Sequence, residues 1–359
     1  MHGTYYRDYL KLNNLLGSQE PVTRKEGNEI HDEMLFIVVH QVYELWFKQI
    51  LHELRSIENI FSKDQVPEKE LNQVVSLLHR IRKIQGQLTG PLEILETMTP
   101  MDFLEFRDKL VPASGFQSIQ FREIEIRMGI TEASKHPVDR KFFTGRLDET
   151  DRKYIEELKC QSLFKVVEGW LERMPFTLKD NFNFWDSYIK SVNSMLDNEK
   201  EIIKANLADL SQEQKDAQYA NLENTREHFQ SIMDKSSYET ILKEGKRKMS
   251  HQATLNALFI LLYRDEPLLH QPFQLLTALM DIDENFTAWR YRHAILAQRM
   301  LGSKVGTGGS SGHQYLKRTA ENNRVFLDLF NLSSFLIPKK ALPDLPQDIK
   351  KELSFFYES

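Results

Sequence analysis

The chain contains very little cysteine, and this scarcity limits the chemistry available to it. Cys160 is the only cysteine among 359 residues. A single thiol excludes an intrachain disulfide, a zinc site built from cysteines and the paired cysteines that attach haem covalently. Any cofactor must therefore be held by other side chains.

Residues that break helices and long apolar runs are also scarce. The sequence has 15 glycines and 12 prolines, both below average usage, whereas residues that favour helices are plentiful. The longest apolar run, residues 257–263, is too short to span a bilayer, and the first 16 residues lack the basic-then-apolar pattern of a signal peptide. These features predict an all-α protein in the cytoplasm, without a membrane partner.

Excess positive charge is absent as well. The formal net charge is -5, and the one dense basic run, residues 243–248, is short enough to be a solvated face. The composition therefore gives no reason to expect a nucleic-acid partner.

Apolar periodicity organises the chain into helices around one core. We predict an N-cap at Asn28 for the first long helix and another at Thr99, which is followed by a proline and an acid in the first turn. The pattern predicts a single domain over residues 1–359, with an N-terminal arm over 1–27 and a charged helical insert over about 197–235. The predicted core helices cover residues 28–61, 68–88, 99–110, 251–263, 272–280 and 283–301.

A histidine lies in the middle of an apolar helical stripe late in the chain. His293 shares one face with Phe286, Trp289, Leu296 and Met300. Burying an imidazole there without a partner is costly. Two interpretations therefore stay open: a core histidine bonded to a carbonyl oxygen, or an axial ligand of haem iron, which needs one neutral nitrogen in an apolar pocket and no second protein ligand.

Two further polar side chains lie on apolar helical faces. His40 follows Phe36 by one turn and precedes Tyr43 and Phe47, a pattern that fits a pocket wall or plain core packing. Arg107 stands at the edge of an apolar face, where a guanidinium needs a carboxylate. That partner is either an internal acid or the carboxylate of an amino-acid ligand.

A glycine-rich run over residues 306–312 lacks the lysine of a phosphate-binding loop and does not fit G-x-G-x-x-G, so the pattern argues against a nucleotide site and favours a lid with hydrogen-bonding hydroxyls. No histidine has a glutamate three residues before it, which also excludes the usual helical di-iron signature. Haem remains the cofactor that suits isolated histidines on buried helices.

Four blocks of this sequence resemble tryptophan 2,3-dioxygenases. They occur in the family's order and are long enough to make chance agreement remote. The blocks are HDEMLFIVVH (31–40) with YELWFK (43–48), TPMDFLEFR (99–107) with PASGFQS (112–118), WRYRH (289–293) and GTGGSSG (306–312).

The resemblance implies a helical enzyme that carries non-covalent haem b, active as Fe²⁺, buried between core helices. It would insert both atoms of O2 across the indole C2–C3 bond of L-tryptophan to give N-formyl-L-kynurenine, the first step of the kynurenine pathway. It also implies a homotetramer whose N-terminal segments reach into neighbouring subunits.

The resemblance further assigns roles to residues. His293 would be the proximal iron ligand, and His40 the catalytic residue that bonds the indole nitrogen, either as a base or by orienting the substrate. Arg107 would bind the substrate carboxylate, and Thr307, with a haem propionate, would bind the ammonium group. Ser114 would lie near bound O2. The implied substrate contacts are Phe36, Ile37, Val38, Val39, His40, Arg107, Ser114, Thr307, Tyr6 and Tyr9.

Two residues depart from the animal pattern: Arg292 before the proximal histidine and His313 after the glycine-rich run. Three rival functions remain at this stage. An indoleamine 2,3-dioxygenase would lack the His40 block, a haem-based gas sensor or carrier would not need Arg107 and Thr307, and a helical scaffold would leave His293 unexplained.

Overall fold

The fold is given by a computed structural model that describes residues 3–63, 65–130, 147–158, 160–179, 182–206, 211–302 and 312–354. Regular structure in these residues is helical, which confirms the predicted all-α class. The exception is a minimal antiparallel pair, β1 (Leu178–Lys179) and β2 (Phe182–Asn183), in which Leu178 is opposite Asn183.

The helices of the first half of the chain begin with three short ones, followed by two long ones. They are α1 (Tyr6–Tyr9), α2 (Leu12–Leu16), α3 (Val22–Lys25), α4 (His31–Phe61), α5 (Glu68–Gln87), α6 (Gly90–Leu95), α7 (Pro100–Arg107) and α8 (Ile119–Met128). Two 3-10 helices, Asp108–Leu110 and Gly115–Gln117, lie between α7 and α8.

The helices of the second half include the longest one, of 32 residues. They are α9 (Glu149–Glu157), α10 (Leu163–Glu172), α11 (Phe184–Asn206), α12 (Gln212–Ser231), α13 (Lys235–Lys243), α14 (His251–Leu262), α15 (His270–Leu301), α16 (Gly312–Asn322), α17 (Leu327–Asn331) and α18 (Gln347–Leu353). Further 3-10 helices cover Pro267–Leu269, Leu332–Phe335 and Lys339–Ala341.

Local signals predicted some helix ends correctly. The Thr99 side chain accepts from the Asp102 backbone N–H, and the Asp102 carboxylate accepts from the Thr99 N–H, which makes a complete capping box at the start of α7. Other ends differ from the prediction. Asn28 does not cap α4, which begins at His31, and the separate helices predicted over 272–280 and 283–301 are one continuous helix, α15.

Tertiary contacts divide the chain into two compact units. The first comprises Met1–Asn59, Leu77–Leu163 and Asp281–Val325, and the second comprises Ile60–Ser76, Phe164–Met280 and Phe326–Ser359. The predicted single domain with an arm and an insert stays a prediction. The charged segment over 197–235 falls mainly on the end of α11 and on α12, which contact each other.

The first unit has an apolar core built on α4. Ile50, Leu54 and Ile57 follow one face of this helix and are completely buried, as are Leu78 and Ile81 of α5. Burying such side chains is worth about 1.5–3 kcal/mol each. This core fixes the part of α4 that precedes it, which carries His40.

Four charged residues of α8, all buried, make this short helix unusual. Glu123 accepts hydrogen bonds from Arg55, Arg127 and Tyr154, and Arg127 also pairs with Glu58. Burial raises the pKa of Glu58 to about 7, against the effect of Arg127. Cys160, half-buried, lies within the field of the same acids, and burial raises the pKa of its thiol. The other two charges of α8 face a cavity described below.

The second unit has a separate core. Residues 253–262 of α14 are buried on every side, as the apolar pattern predicts for a core helix. The largest fully buried side chains of this unit are aromatic: Phe184, Tyr188, Phe259, Phe326 and Phe335. In the described part of the chain, no helix is long and apolar enough to cross a membrane.

Candidate functional site

A cavity of about 290 Å³ lies within the first unit. Its wall is mostly apolar and aromatic, with a few convergent polar groups, which is the usual character of a ligand site. The side chains come from α4, α6, α7, α8, α15 and α16 and from the segment between α7 and α8. They include Phe36, His40, Tyr43, Phe47, Leu92, Leu95, Phe103, Arg107, Ser114, Phe121, Arg122, Glu125, Trp289, Arg290, His293, Leu296, Met300 and Thr319.

One wall is formed by α4 and α7. Phe36 and His40 are one turn apart, and their ring centroids are 4.1 Å from each other. The Phe36 ring also contacts Phe103 and Phe106 of α7, at 5.7 and 5.6 Å. Phe36 thus contacts both the His40 imidazole and the α7 rings, and Phe36 and Phe103, which line the cavity, give a flat aromatic ligand surfaces to stack on.

The tautomer of His40 follows from its hydrogen bond. Nδ1 lies 2.7 Å from the carbonyl oxygen of Phe36. Because a carbonyl oxygen only accepts, Nδ1 must carry the proton, and Nε2 of the neutral ring keeps its lone pair. A ring fixed in this way can accept a hydrogen bond from a ligand N–H.

Burial lowers the pKa of His40, against the Phe36 hydrogen bond and the Glu44 charge, which raise it. The ring also has a large accessible surface. The two observations agree if that surface faces the cavity, because a narrow apolar cavity solvates an imidazolium poorly. His40 is therefore neutral at pH 7.

His293 lies in the middle of α15 and lines the same cavity. Burial lowers its pKa to about 4, with a smaller contribution from His40. Its Nδ1 is buried and has no hydrogen-bond partner in the described ranges. Trp289, one turn earlier, lies 5.5 Å from the ring. His293 is thus a neutral imidazole in apolar surroundings, and the carbonyl-bonded core histidine is not what the described residues form.

Metal binding by a cluster of protein ligands finds no support in the described residues. Among them, no group of three or more His, Cys, Asp or Glu side chains is placed to hold an ion. A metal bound through His293 would therefore need its other ligands from a cofactor.

Arg107 ends α7 at the edge of the cavity. Its side chain is 12% exposed, and Nη1 lies 3.9 Å from the carboxylate of Asp108, which is 88% exposed. At that distance the pair is weak. Because this guanidinium lines the cavity, it can pair with an anionic group of a ligand.

Ser114 also lines the cavity, at the start of the 3-10 helix that precedes α8. Its Oγ accepts from the Phe116 N–H, and its own N–H donates to Gln117. The hydroxyl proton remains available for a ligand because these bonds use Oγ only as an acceptor.

Sequence reasoning missed a polar network on the cavity wall. Glu125 of α8 accepts from Arg122 at 3.0 Å, from Arg290 of α15 at 3.2 Å and from Asn323 at 3.1 Å. The Arg290 guanidinium also lies over the Phe121 ring, 5.8 Å from its centroid. The guanidinium and amide groups donate to the Glu125 carboxylate, so the network links α8 to α15. The only sequence signal was the placement of charges among apolar residues in α8.

Several predicted substrate contacts do not line the cavity. Val39 is 4% exposed in the core, whereas Val38 is 40% exposed on the outer surface, because successive helical residues point 100° apart. Ile37 is also absent from the lining. Tyr6 and Tyr9 are 70% and 74% exposed and lie outside the cavity of their own chain.

Thr307 and the rest of 303–311 lie outside the described residues. The two departures from the animal pattern are both described. Arg292 donates to Glu96 at 2.9 Å, and Nδ1 of His313 lies 3.0 Å from the Ala294 carbonyl oxygen. The first hydrogen bond links the residue that follows α6 to α15, and the second links α16 to α15. Both lie next to His293 in the sequence of α15.

Known proteins match this chain along nearly its whole length. Residues 1–336 match the family described as tryptophan 2,3-dioxygenase. The tryptophan 2,3-dioxygenase of Alteromonas mediterranea is 47% identical over 355 residues, covering 99% of this chain and 98% of the relative. Those of Dictyostelium discoideum and Xenopus tropicalis are each 45% identical, covering 98% of this chain and 88% and 86% of the relatives. The chain therefore belongs to the tryptophan 2,3-dioxygenase family.

Proposed function

We propose that this chain is a haem-dependent dioxygenase that cleaves the indole C2–C3 bond of L-tryptophan with O2. The product would be N-formyl-L-kynurenine, and the reaction would begin tryptophan catabolism by the kynurenine pathway. Besides the family, one observation supports this most strongly. A neutral imidazole at His293, without a hydrogen-bond partner on Nδ1 among described residues, shares an aromatic cavity with His40 and Arg107.

The residues present fit haem. His293 offers an unprotonated nitrogen at neutral pH because its pKa lies near 4, and an axial haem ligand must be unprotonated. The cofactor would be haem b, bound without covalent attachment and active as Fe²⁺. When bound, haem supplies the redox chemistry through which O2 reacts with an organic ring. The protein contributes binding, orientation and the exclusion of water.

The substrate would be held by groups at both of its ends. Arg107 would pair with the carboxylate, and Nε2 of His40 would accept a hydrogen bond from the indole N–H. Two fixed points and an aromatic wall orient an amino acid strongly. Following the family resemblance, Thr307 would receive the ammonium group, and the Ser114 hydroxyl would lie near O2.

We assign His40 an orienting role. The lowered pKa of this imidazole makes it a weak base, and an indole N–H is a very weak acid. Proton abstraction by His40 would thus be unfavourable, because the base is weak and the acid is weak. Its single available lone pair suits a hydrogen-bond acceptor that selects the position of the indole nitrogen.

The active form would be a homotetramer that exchanges N-terminal segments, in the cytoplasm. Three tyrosines of the arm support this assembly: Tyr5, Tyr6 and Tyr9 are each more than two-thirds exposed. Exposing several aromatic side chains on one short segment favours a partner surface. In the proposed assembly, Tyr6 and Tyr9 would complete the cavity of a neighbouring subunit.

The proposal is tested by expressing the protein with haem supplied, recording its absorption spectrum and following N-formyl-L-kynurenine formation from L-tryptophan under air. We expect a Soret band and product. A colourless protein would overturn the haem assignment. If haem binds but L-tryptophan is neither bound nor oxidised, a gas sensor or haem carrier becomes the better explanation.

A further inference from the structure

A buried acid near the start of α4 has no place in the chemistry proposed above. Glu33, the third residue of this helix, is 1% exposed. One carboxylate oxygen accepts from the Val22 N–H at 2.7 Å, and the other accepts from the Thr23 N–H at 3.0 Å and from the Thr23 hydroxyl. Three hydrogen bonds from α3 to one buried carboxylate attach α3 strongly and directionally to the start of α4.

Thr23 completes this attachment from the other side. It is fully buried, and its Oγ1 accepts from the Ile30 N–H at 3.0 Å, while its carbonyl oxygen accepts from the Asn28 N–H at 3.1 Å. Hydrogen bonds to Thr23 therefore hold the loop between α3 and α4 in a compact turn. As a result, α3 is fixed relative to α4 by Glu33.

The same short helix contacts the structure that follows Arg107. α3 packs against the 3-10 helix Asp108–Leu110, and Glu26, at the end of α3, pairs with Lys109 of that helix. Arg107 directly precedes this 3-10 helix. The backbone that carries the guanidinium is thus supported by α3.

We propose that Glu33 is a positioning residue for Arg107, acting through α3 and the 3-10 helix Asp108–Leu110. Glu33 does not line the cavity, so it acts on the substrate indirectly, and the contacts of α3 lead to the backbone next to Arg107. This inference rests on the proposed function, in which Arg107 holds the carboxylate of L-tryptophan. Catalytic groups depend on such supporting contacts because small misplacements are costly.

The test compares Glu33→Gln with the wild-type haem-loaded protein. A glutamine offers one acceptor oxygen, and its NH2 group meets a backbone N–H that needs an acceptor. We expect KM for L-tryptophan to rise roughly tenfold, with kcat within about twofold and the haem absorption unchanged. The matched control is Glu29→Gln, which removes an exposed ion pair with Arg24 in the same segment and should leave KM unchanged.

A second readout does not require activity. Trypsin should cut faster after Arg24 and Lys25 in Glu33→Gln than in the wild type, because α3 is no longer attached. Thr23→Val keeps the carboxylate but removes the hydroxyl that donates to Glu33 and accepts from the Ile30 N–H. It should change both readouts in the same direction but less.

Three outcomes overturn the inference. Unchanged trypsin cleavage means that Glu33 does not fasten α3, and faster cleavage with normal KM means that α3 does not place Arg107. Loss of kcat and haem together with the rise in KM indicates a general structural role. If the wild-type protein does not oxidise L-tryptophan, the proposed function fails, whereas the trypsin result still decides whether Glu33 holds α3.

Discussion

Replacement of Glu125 by glutamine should reveal how much the polar wall of the cavity contributes to stability. Glutamine has nearly the same volume, so packing changes little. It keeps one acceptor oxygen and loses the negative charge. The carboxylate that Arg122 and Arg290 share is thereby removed.

The magnitude follows from burial. The side chains of Arg122 and Arg290 are each 5% exposed, and that of Glu125 is 3% exposed, so water cannot replace the lost carboxylate. Removing one partner of a buried ion pair typically costs about 3–5 kcal/mol. We expect Glu125→Gln to lower the free energy of unfolding by that amount.

Urea denaturation followed by tryptophan fluorescence measures this change, with both proteins in the same cofactor state. Glu29→Gln again serves as control, since Glu29 and Arg24 are 44% and 51% exposed and such pairs contribute about 0–1 kcal/mol. If Glu125→Gln costs no more than the control, the network does not hold α8 and α15 together and our reasoning is wrong.

Four other changes test the site and the fold. His293→Ala should abolish the haem absorption band, and a normal spectrum would remove His293 as ligand. Arg107→Ala should keep haem and raise KM for L-tryptophan by the equivalent of about 2–5 kcal/mol; an unchanged KM would contradict the carboxylate contact. Deleting residues 1–10 should reduce activity while preserving helicity by circular dichroism, and full activity would argue against a shared site. Glu58 ionises near pH 4.5 when unfolded and near 7 when folded, so its contribution to stability is present below about pH 4.5 and is lost as the pH rises through 7. Glu58→Gln should flatten that fall, and an unaltered pH profile of urea midpoints would refute the assignment.

Local signals in the sequence were sufficient for much of the fold. The capping box at Thr99 involves residues three positions apart, and the apolar stripe of α15 repeats with the helical period. Both depend on neighbours along the chain. The same periodicity brought His40 and His293 onto interior faces, where the structure places them around one cavity.

Features that depend on distant partners were not predictable. Asn28 resembles an N-cap, but Glu33 and Thr23 close the preceding loop and α4 begins later. Separate helices were predicted over 272–280 and 283–301, yet α15 is continuous there, and Asp281 pairs with Arg82 while Asp283 accepts from the Val325 N–H. Likewise, the partners of Glu125 on α15 and near the end of α16 lie 165 and 198 residues away.

The lone cysteine gives this protein a natural kinetic reporter. Cys160 is half-buried beside the acids around α8, and its raised pKa keeps the thiol protonated at neutral pH, the form that reacts slowly with thiol reagents. Labelling will therefore proceed mainly when the surrounding charges separate and the thiol meets water. Because every modified molecule carries its label at one known position, the rate of labelling in the native protein reports the fraction of time that this part of the structure is open.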